Sequence, residues 1–248
     1  MYKLFDEMLS VMDAAYRDFE AAVPAPLLVE TEVGWVYRYE DQNSLQAIIQ
    51  KLVLVQSGLR AAHILLRNGH IYEQAMLERV VDEANEDILF LVFAITNNNL
   101  TPLHERYLTA FWQEEFSDHS DPLGSEQKRD MVPRKRIRAY LASMEGKRND
   151  PSGSIELAKT ISKTLSGFVH GASPQLMELF GEGKERFHTK GMLGTPKIEE
   201  YTDDLWNYMY RGFLSHVFAA NVFSSKQYVD RLIEHKRRFE GVAGKNYD

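Results

Sequence analysis

The chain has 248 residues, of which 44% are hydrophobic and 26% charged, a composition typical of a globular protein and too apolar for general disorder. It has no cysteine, which excludes disulfides, thiolate metal sites and a cysteine nucleophile. The net charge is −7, but basic and acidic residues are unevenly distributed along the chain.

The N-terminal segment predicts one helix and a short extended region. Apolar side chains recur at three- and four-residue spacing in residues 2–23, and Pro24 ends the predicted helix. This helix is acidic and lacks the uncharged core of a secretory signal, so we expect a cytoplasmic protein. Residues 27–40 are rich in Val, Thr, Trp and Tyr around Gly34, which predicts a short β-hairpin or an extended linker.

A helical hairpin between residues 44 and 95 is the predicted centre of the fold. Apolar residues follow a 3.6-residue period on both sides of Asn68-Gly69, and glycine commonly ends a helix in the left-handed conformation. The charged residues that interrupt these runs are Lys51, Arg60, Arg67, Glu83 and Glu86. They exclude a membrane span, so we expect no membrane partner.

Four further helical regions follow, separated by polar stretches rich in proline and glycine. They cover residues 102–116, 134–148, 155–169 and 196–239, with a short helix in residues 174–180 and a bend near residues 224–225. No series of alternating strands is present, which argues against an α/β sheet. The predicted fold class is all-α, a bundle of about seven or eight helices. We expect one domain of residues 1–248, with an N-terminal helix and extended segment in residues 1–40 and the main bundle in residues 41–248.

Residues 128–150 form a basic segment within an acidic protein. Eight Lys or Arg residues stand against three acids, a local charge of +5 that leaves −12 for the remainder. Arg134, Arg136 and Arg138 lie on the helix predicted there. Such a segment can bind a polyanion such as the phosphate backbone of RNA. The alternative, which we favour, is a solvated helix face that pairs with an acidic neighbour.

Several motifs of known chemistry are absent. The chain has no glycine-rich phosphate loop, no H-E-x-x-H and no G-x-S-x-G motif. Di-metal bundles need Glu-x-x-His pairs on two helices, and the chain does not carry two such pairs. We therefore predict no metal and no cofactor.

Three groups of residues remain as candidate sites. Arg79, Glu83 and Glu86 share one flank of the second hairpin helix, where they can hold a cation or do acid–base work. The alternative is an intrahelical ion pair. His170 ends a helix just before a sharp break that exposes Ser173, or else it is an ordinary C-terminal capping residue. If a pocket is present, we expect the hairpin helix to form one wall and the break at His170 to form the other.

The third group is Arg211 with His216 in the last helical region. An arginine can neutralise a phosphate while a histidine moves a proton, which is the chemistry of phosphodiester cleavage. The alternative is a buried, hydrogen-bonded histidine beside a surface arginine.

Two resemblances involve these residues. The segments LERVVDEANEDILFL and LSGFVHGASPQLMELFG resemble bacterial helical proteins of unknown function that share an Arg/Glu helix and a later Ser-x-x-x-His segment. This resemblance covers much of residues 40–220 and implies no established activity. The Arg-x4-His spacing of Arg211 and His216 is similar to the Arg-x4-6-His motif of the HEPN superfamily. Those all-α domains include many metal-independent endoribonucleases of defence or toxin–antitoxin systems.

The HEPN resemblance implies RNA as a partner and a homodimer that pairs the motif across its interface. Active members usually carry a polar residue after the arginine, where this chain has Gly212.

Two functional hypotheses follow. The first is an HEPN-like endoribonuclease or an RNA-binding relative. His216 is then the general acid and base, Arg211 stabilises the developing charge, His170 assists, and the basic helix holds RNA. The second is a non-catalytic helical interaction or small-molecule-sensing protein, with a pocket between helices. Whether the protein is an enzyme is left open between them.

Overall fold

The computed structural model describes residues 1–31, 34–118, 120–126, 129–144, 151–181, 186–223 and 226–245. Within these ranges the helices are α1 (Tyr2–Ala21), α2 (Ser44–Arg67), α3 (Ile71–Thr96), α4 (Pro102–Trp112), α5 (Arg134–Met144), α6 (Pro151–Val169), α7 (Ser173–Leu176), α8 (Lys197–Val222) and α9 (Lys226–Ala243). A 3-10 turn covers Met177–Leu179, and strands β1 (Leu27–Thr31) and β2 (Gly34–Arg38) form an antiparallel hairpin. The prediction of an all-α bundle with a minor β-hairpin is confirmed.

Helices α2 and α3 form the predicted antiparallel hairpin, and α3 lies at the centre of the bundle. It packs against α2, α4, α5, α6 and α8. Gly69 makes the turn at a φ of +82°, and a Cβ there would lie 2.7 Å from the backbone nitrogen of Met192. Glycine is therefore required at the turn both for its conformation and for the close approach of the loop before α8.

Two glycines inside helices let α2 approach its neighbours closely. A Cβ on Gly58 would lie 2.7 Å from Val81 Cγ2 of α3, and a Cβ on Gly212 of α8 would lie 2.6 Å from Leu59 Cδ1. Real Cβ atoms do not approach that closely, so neither position has room for a side chain. The fully buried side chains around these contacts include Val55, Leu59 and Phe213.

Some element boundaries differ from the sequence prediction. Helix α4 ends at Trp112 rather than near residue 116, and α6 begins at Pro151 rather than residue 155. Proline is well placed in a first helical turn, because its missing N–H has no partner there in any case. The last helical region is two helices, and the bend predicted at residues 224–225 lies outside the described residues. Across the part of the chain that the structure describes, no helix combines the length and apolar character of a membrane span.

Candidate functional site

A cavity of about 320 Å³ lies between α3, α5, α6 and α8. Its wall is mostly apolar, with a few polar side chains at one end. The lining residues are Asn85, Glu86, Leu89, Phe93, Arg138, Leu141, Ala142, Ala158, Arg211, Leu214, Ser215 and Phe218. A larger groove along the last turns of α9 is lined mainly by charged side chains and glycines, so it offers little apolar surface to a ligand. The cavity beside α3 is therefore the better candidate site.

The polar end of the cavity is built from one face of α3. Asp82, Asn85 and Glu86 follow each other at three- and four-residue spacing, which places them on one side of the helix. Each is at least 96% buried. Asp82 forms an ion pair with Arg211 of α8, and Asn85 Oδ1 accepts a hydrogen bond of 2.7 Å from the Ser215 hydroxyl. Polar contacts thus join α3 to α8 along this face.

Helix α5 supplies the other side of the polar end. Arg138 Nε donates a hydrogen bond of 2.7 Å to Glu86 Oε1, and both side chains are buried. Burial raises the pKa of the Glu86 carboxyl, although the bond to Arg138 opposes that effect. A buried ion pair of this kind is costly to break from one side, since the remaining charge would be left without a partner.

A second buried ion cluster lies beside the cavity around Asp87. Its carboxylate is 1% exposed and contacts Arg134 Nη1 at 2.5 Å and Lys51 Nζ at 2.8 Å. Burial lowers the pKa of Arg134, but the Asp87 charge and hydrogen bond more than offset it, so the pKa is raised overall. The Arg134 guanidinium therefore stays charged and ties α5 to the central helix.

Three buried polar atoms at this end of the cavity have no hydrogen-bond partner among the described residues. They are Asn85 Nδ2, Glu86 Oε2 and Arg138 Nη2, of which Glu86 Oε2 lies 3.7 Å from Arg134 Nη1, within an ion pair but beyond hydrogen-bond distance. A buried polar atom without a partner costs about 1–3 kcal/mol. Most buried polar atoms in proteins are paired, so three unpaired atoms beside one cavity indicate a place where another polar group can bind.

His216 lies on a different side of α8, away from the cavity. It is fully buried, its Nδ1 donates to Gly212 O at 2.7 Å, and its Nε2 accepts from Gln56 Nε2 at 2.8 Å. Burial lowers the pKa of His216 to about 4, so the ring is neutral at pH 7. Arg211 instead turns to Asp82, so the structure does not bring the two residues of the Arg-x4-His motif to one surface.

His170 and Ser173 are exposed and are not part of the cavity. His170 ends the last turn of α6, where its backbone N–H bonds to Ser166 O at 3.0 Å, and Gly171 follows at a φ of +63°. This is the arrangement of an ordinary helix C-terminus. The expectation that the break at His170 forms a pocket wall is wrong, because α5, α6 and α8 form the wall opposite α3.

The Arg79, Glu83 and Glu86 group is divided by the packing. Arg79 pairs with Glu83 at 2.5 Å along the helix and donates to Ser162 O of α6 at 3.1 Å, whereas Glu86 turns to Arg138. The basic helix α5 therefore packs against an acidic face of α3, which is the pairing that the sequence analysis favoured over binding of a polyanion. Arg134 and Arg138 both pair with that face, while Arg136 is exposed.

Sequence reasoning missed three residues of the site, Asp82, Asn85 and Ser215. A signal was present for Asn85, because Val81 and Ile88 lie one helical turn from it on the apolar side of α3, where a surface residue is not expected. Across the described ranges, no three His, Asp or Glu side chains are grouped as metal ligands would be. Comparison of the chain with protein-family models, curated proteins and solved structures found no match. The function is therefore argued from the geometry of the site.

Proposed function

We propose that this protein binds an apolar small molecule with one polar group in the cavity between α3, α5, α6 and α8. The observation that carries the proposal is the combination of an apolar wall with three unpaired, buried polar atoms at one end. Apolar walls supply affinity to a ligand, and a few fixed polar groups set its orientation.

The size of the cavity supports a small-molecule ligand. About 320 Å³ lies at the lower end of the range of ligand pockets in proteins. Leu89, Leu141 and Leu214 offer apolar contact from three different helices. A ligand that contacts all three leucines would favour one arrangement of α3, α5 and α8. Such a shift in helix packing would let the bundle respond to the concentration of the ligand.

The ribonuclease hypothesis gains no support from the positions of its residues. General acid–base catalysis requires a side chain that can reach the substrate, and both nitrogens of His216 are occupied within the core. Arg211 is in turn paired with Asp82. Metal-independent cleavage of RNA that is present in the wild type and lost in His216→Ala, with the variant still folded, would favour that hypothesis over ligand binding.

The direct test is binding of the neutral apolar fluorophore N-phenyl-1-naphthylamine. We expect saturable enhancement of its fluorescence with one site per chain. Leu214→Trp places a larger ring in the cavity and should weaken binding at least tenfold. Ile64→Trp, at an exposed position of α2, is the matched control and should leave binding unchanged. Circular dichroism confirms that each variant folds, and an unchanged affinity in folded Leu214→Trp would refute the proposal.

A further inference from the structure

We infer that the ligand is a single-chain amphiphile with a carbonyl head, either a carboxylate or a carboxamide. The head lies at the end of the cavity near Arg211, and the chain runs between α3 and α8 towards the C-terminal ends of both helices. This inference rests on the proposed function and specifies its ligand.

A second groove lies beside the cavity along the same two helices. The groove has a volume of about 400 Å³. It is lined by Val92, Phe93, Thr96, Asn97, Met144, Phe218 and Asn221. Phe93 and Phe218 line both spaces, and their rings meet edge to face with centroids 5.5 Å apart. The two spaces are therefore neighbours that share one pair of aromatic side chains.

The cavity and the groove follow each other along α3 and α8. From Glu86 at the polar end to Asn97 in the groove, α3 advances about 16 Å at 1.5 Å per residue. Leu89 and Phe93 on α3 face Leu214 and Phe218 on α8, each pair one helical turn apart. A compact ring system would fill the cavity alone, whereas an unbranched chain can reach the groove when the contact between the Phe93 and Phe218 rings opens.

The polar end offers mainly hydrogen-bond donors. The Arg211 side chain is 37% exposed and pairs with Asp82 through Nη1. Arg138 Nη2 and Asn85 Nδ2 are donors without a hydrogen-bond partner, and Glu86 Oε2 is an acceptor that has only an ion pair of 3.7 Å with Arg134 Nη1. A carbonyl oxygen can accept from such donors, whereas a quaternary ammonium head has no acceptor to offer them. Since each arginine is paired with one carboxylate, the site accommodates a neutral carboxamide as well as a carboxylate.

The experiment is displacement of N-phenyl-1-naphthylamine by unbranched amphiphiles below their critical micelle concentrations. Octanoate, decanoate and dodecanoate form one series, and the corresponding amides and alkyltrimethylammonium salts form two others. Each added methylene that is buried should tighten binding by about fourfold. We expect the carbonyl series to bind at least tenfold tighter than the ammonium series, and the ranking of carboxylate against amide identifies the head.

Two variants test the placement of the chain and of the head. Thr96→Trp obstructs the far groove and should weaken dodecanoate strongly while leaving octanoate unchanged, with Ile64→Trp as its control. Arg211→Met combined with Asp82→Asn removes the pair without leaving a buried charge and should reduce the preference for a carbonyl head, while Arg138 Nη2 and Asn85 Nδ2 remain as donors. Arg136→Met is the matched control at an exposed arginine.

The outcomes separate this inference from the proposed function. If the fluorophore binds but chain length or head group has no effect on its displacement, the amphiphile inference is wrong and the binding site stands. If the fluorophore does not bind in a saturable way, both fail. A wild-type preference for the ammonium series would overturn the assignment of the head.

Discussion

Helix α8 has buried polar residues on two faces. The polar side chain on one face is fully hydrogen-bonded, whereas those on the other face border a cavity. On the face towards α2, His216 is fully buried and both of its ring nitrogens are paired. On the face towards α3 and α5, Arg211 and Ser215 border a cavity with three unpaired polar atoms nearby. The first face is closed by packing, and Gly212 leaves no room there for even a Cβ.

The comparison shows that a buried polar residue does not by itself mark a functional site. A histidine with both nitrogens paired holds two helices in one arrangement and has no capacity left for a ligand. The useful sign is a polar atom that is buried, unpaired and next to space. By that measure the open face of α8, with Glu86 and Arg138 opposite, is the candidate binding face.

The largest effect is expected at the open face. Glu86→Ala leaves the Arg138 guanidinium buried without its partner, and the free energy of unfolding should fall by about 3–5 kcal/mol. Arg138→Met should cost less, because burial already raises the pKa of Glu86 and the carboxyl can take up a proton. Urea unfolding at pH 7 measures both. Equal losses, or a loss below about 1 kcal/mol for Glu86→Ala, would contradict the buried ion pair.

Two buried titratable groups, Glu78 and His216, should change the free energy of unfolding with pH in opposite directions. Burial raises the pKa of Glu78 to about 8, so the folded state holds a proton that the unfolded chain releases near pH 4.5, and stability should fall as the pH rises between those values. His216, with its pKa lowered to about 4, acts in the opposite direction and adds stability as the pH rises from 4 to 6.5. Above pH 6.5 the decline due to Glu78 remains, about 2 kcal/mol up to pH 8.

Glu78→Gln tests this assignment. The variant should lose the decline between pH 6.5 and 8 and should show a rise between pH 4.5 and 6.5, because in the wild type the opposite effects of Glu78 and His216 cancel in that range. Urea unfolding of wild type and variant at half-unit pH steps gives both slopes. A decline of the same size in the variant would show that another group titrates there.

The closed face is tested by adding one methyl group. Gly212→Ala puts a Cβ against Leu59, and the overpacking cost of about 1–3 kcal/mol outweighs the better helix propensity of alanine. Gly241→Ala in α9 meets nothing within 4 Å and should stabilise by about 0.5 kcal/mol. Thermal unfolding of the two variants should therefore move in opposite directions. A stabilised Gly212→Ala would mean that α2 and α8 are less closely packed than described.

The smallest effect is expected at the exposed arginine of α5. Arg136→Ala should leave the urea midpoint unchanged, because the side chain is exposed, while Arg138→Ala two residues later should lower it clearly. A comparable loss in both variants would mean that the general charge of α5, rather than its pairing with α3, stabilises the bundle.

Local features of the fold were accessible from sequence. The hairpin of α2 and α3 follows from apolar periodicity and Gly69, and Thr101 with Pro102 begins α4 as predicted. These features depend on neighbours within a few residues. Apolar periodicity also places Asn85 of α3 inside, although its partner Ser215 on α8 is far along the chain.

The site itself depends on long-range pairing that periodicity does not encode. Arg138 and Glu86 are 52 residues apart, and no local pattern assigns them to each other. Arg211 and His216 are five residues apart, which on a regular helix separates them by about 140°. The Arg-x4-His spacing predicts that the two side chains act together, but the helix directs Arg211 to Asp82 and His216 to Gln56.

The central position of α3 also makes it a natural reporter of ligand binding. Because α2, α4, α5, α6 and α8 all cover it, its amide hydrogens should exchange with solvent deuterium mainly when the whole bundle opens. A ligand that binds the folded chain alone slows such global opening by the factor 1 + [L]/Kd. The slowest-exchanging peptides of α3 would then give the affinity of any unlabelled compound directly, with the hairpin of β1 and β2 as an internal reference that exchanges locally.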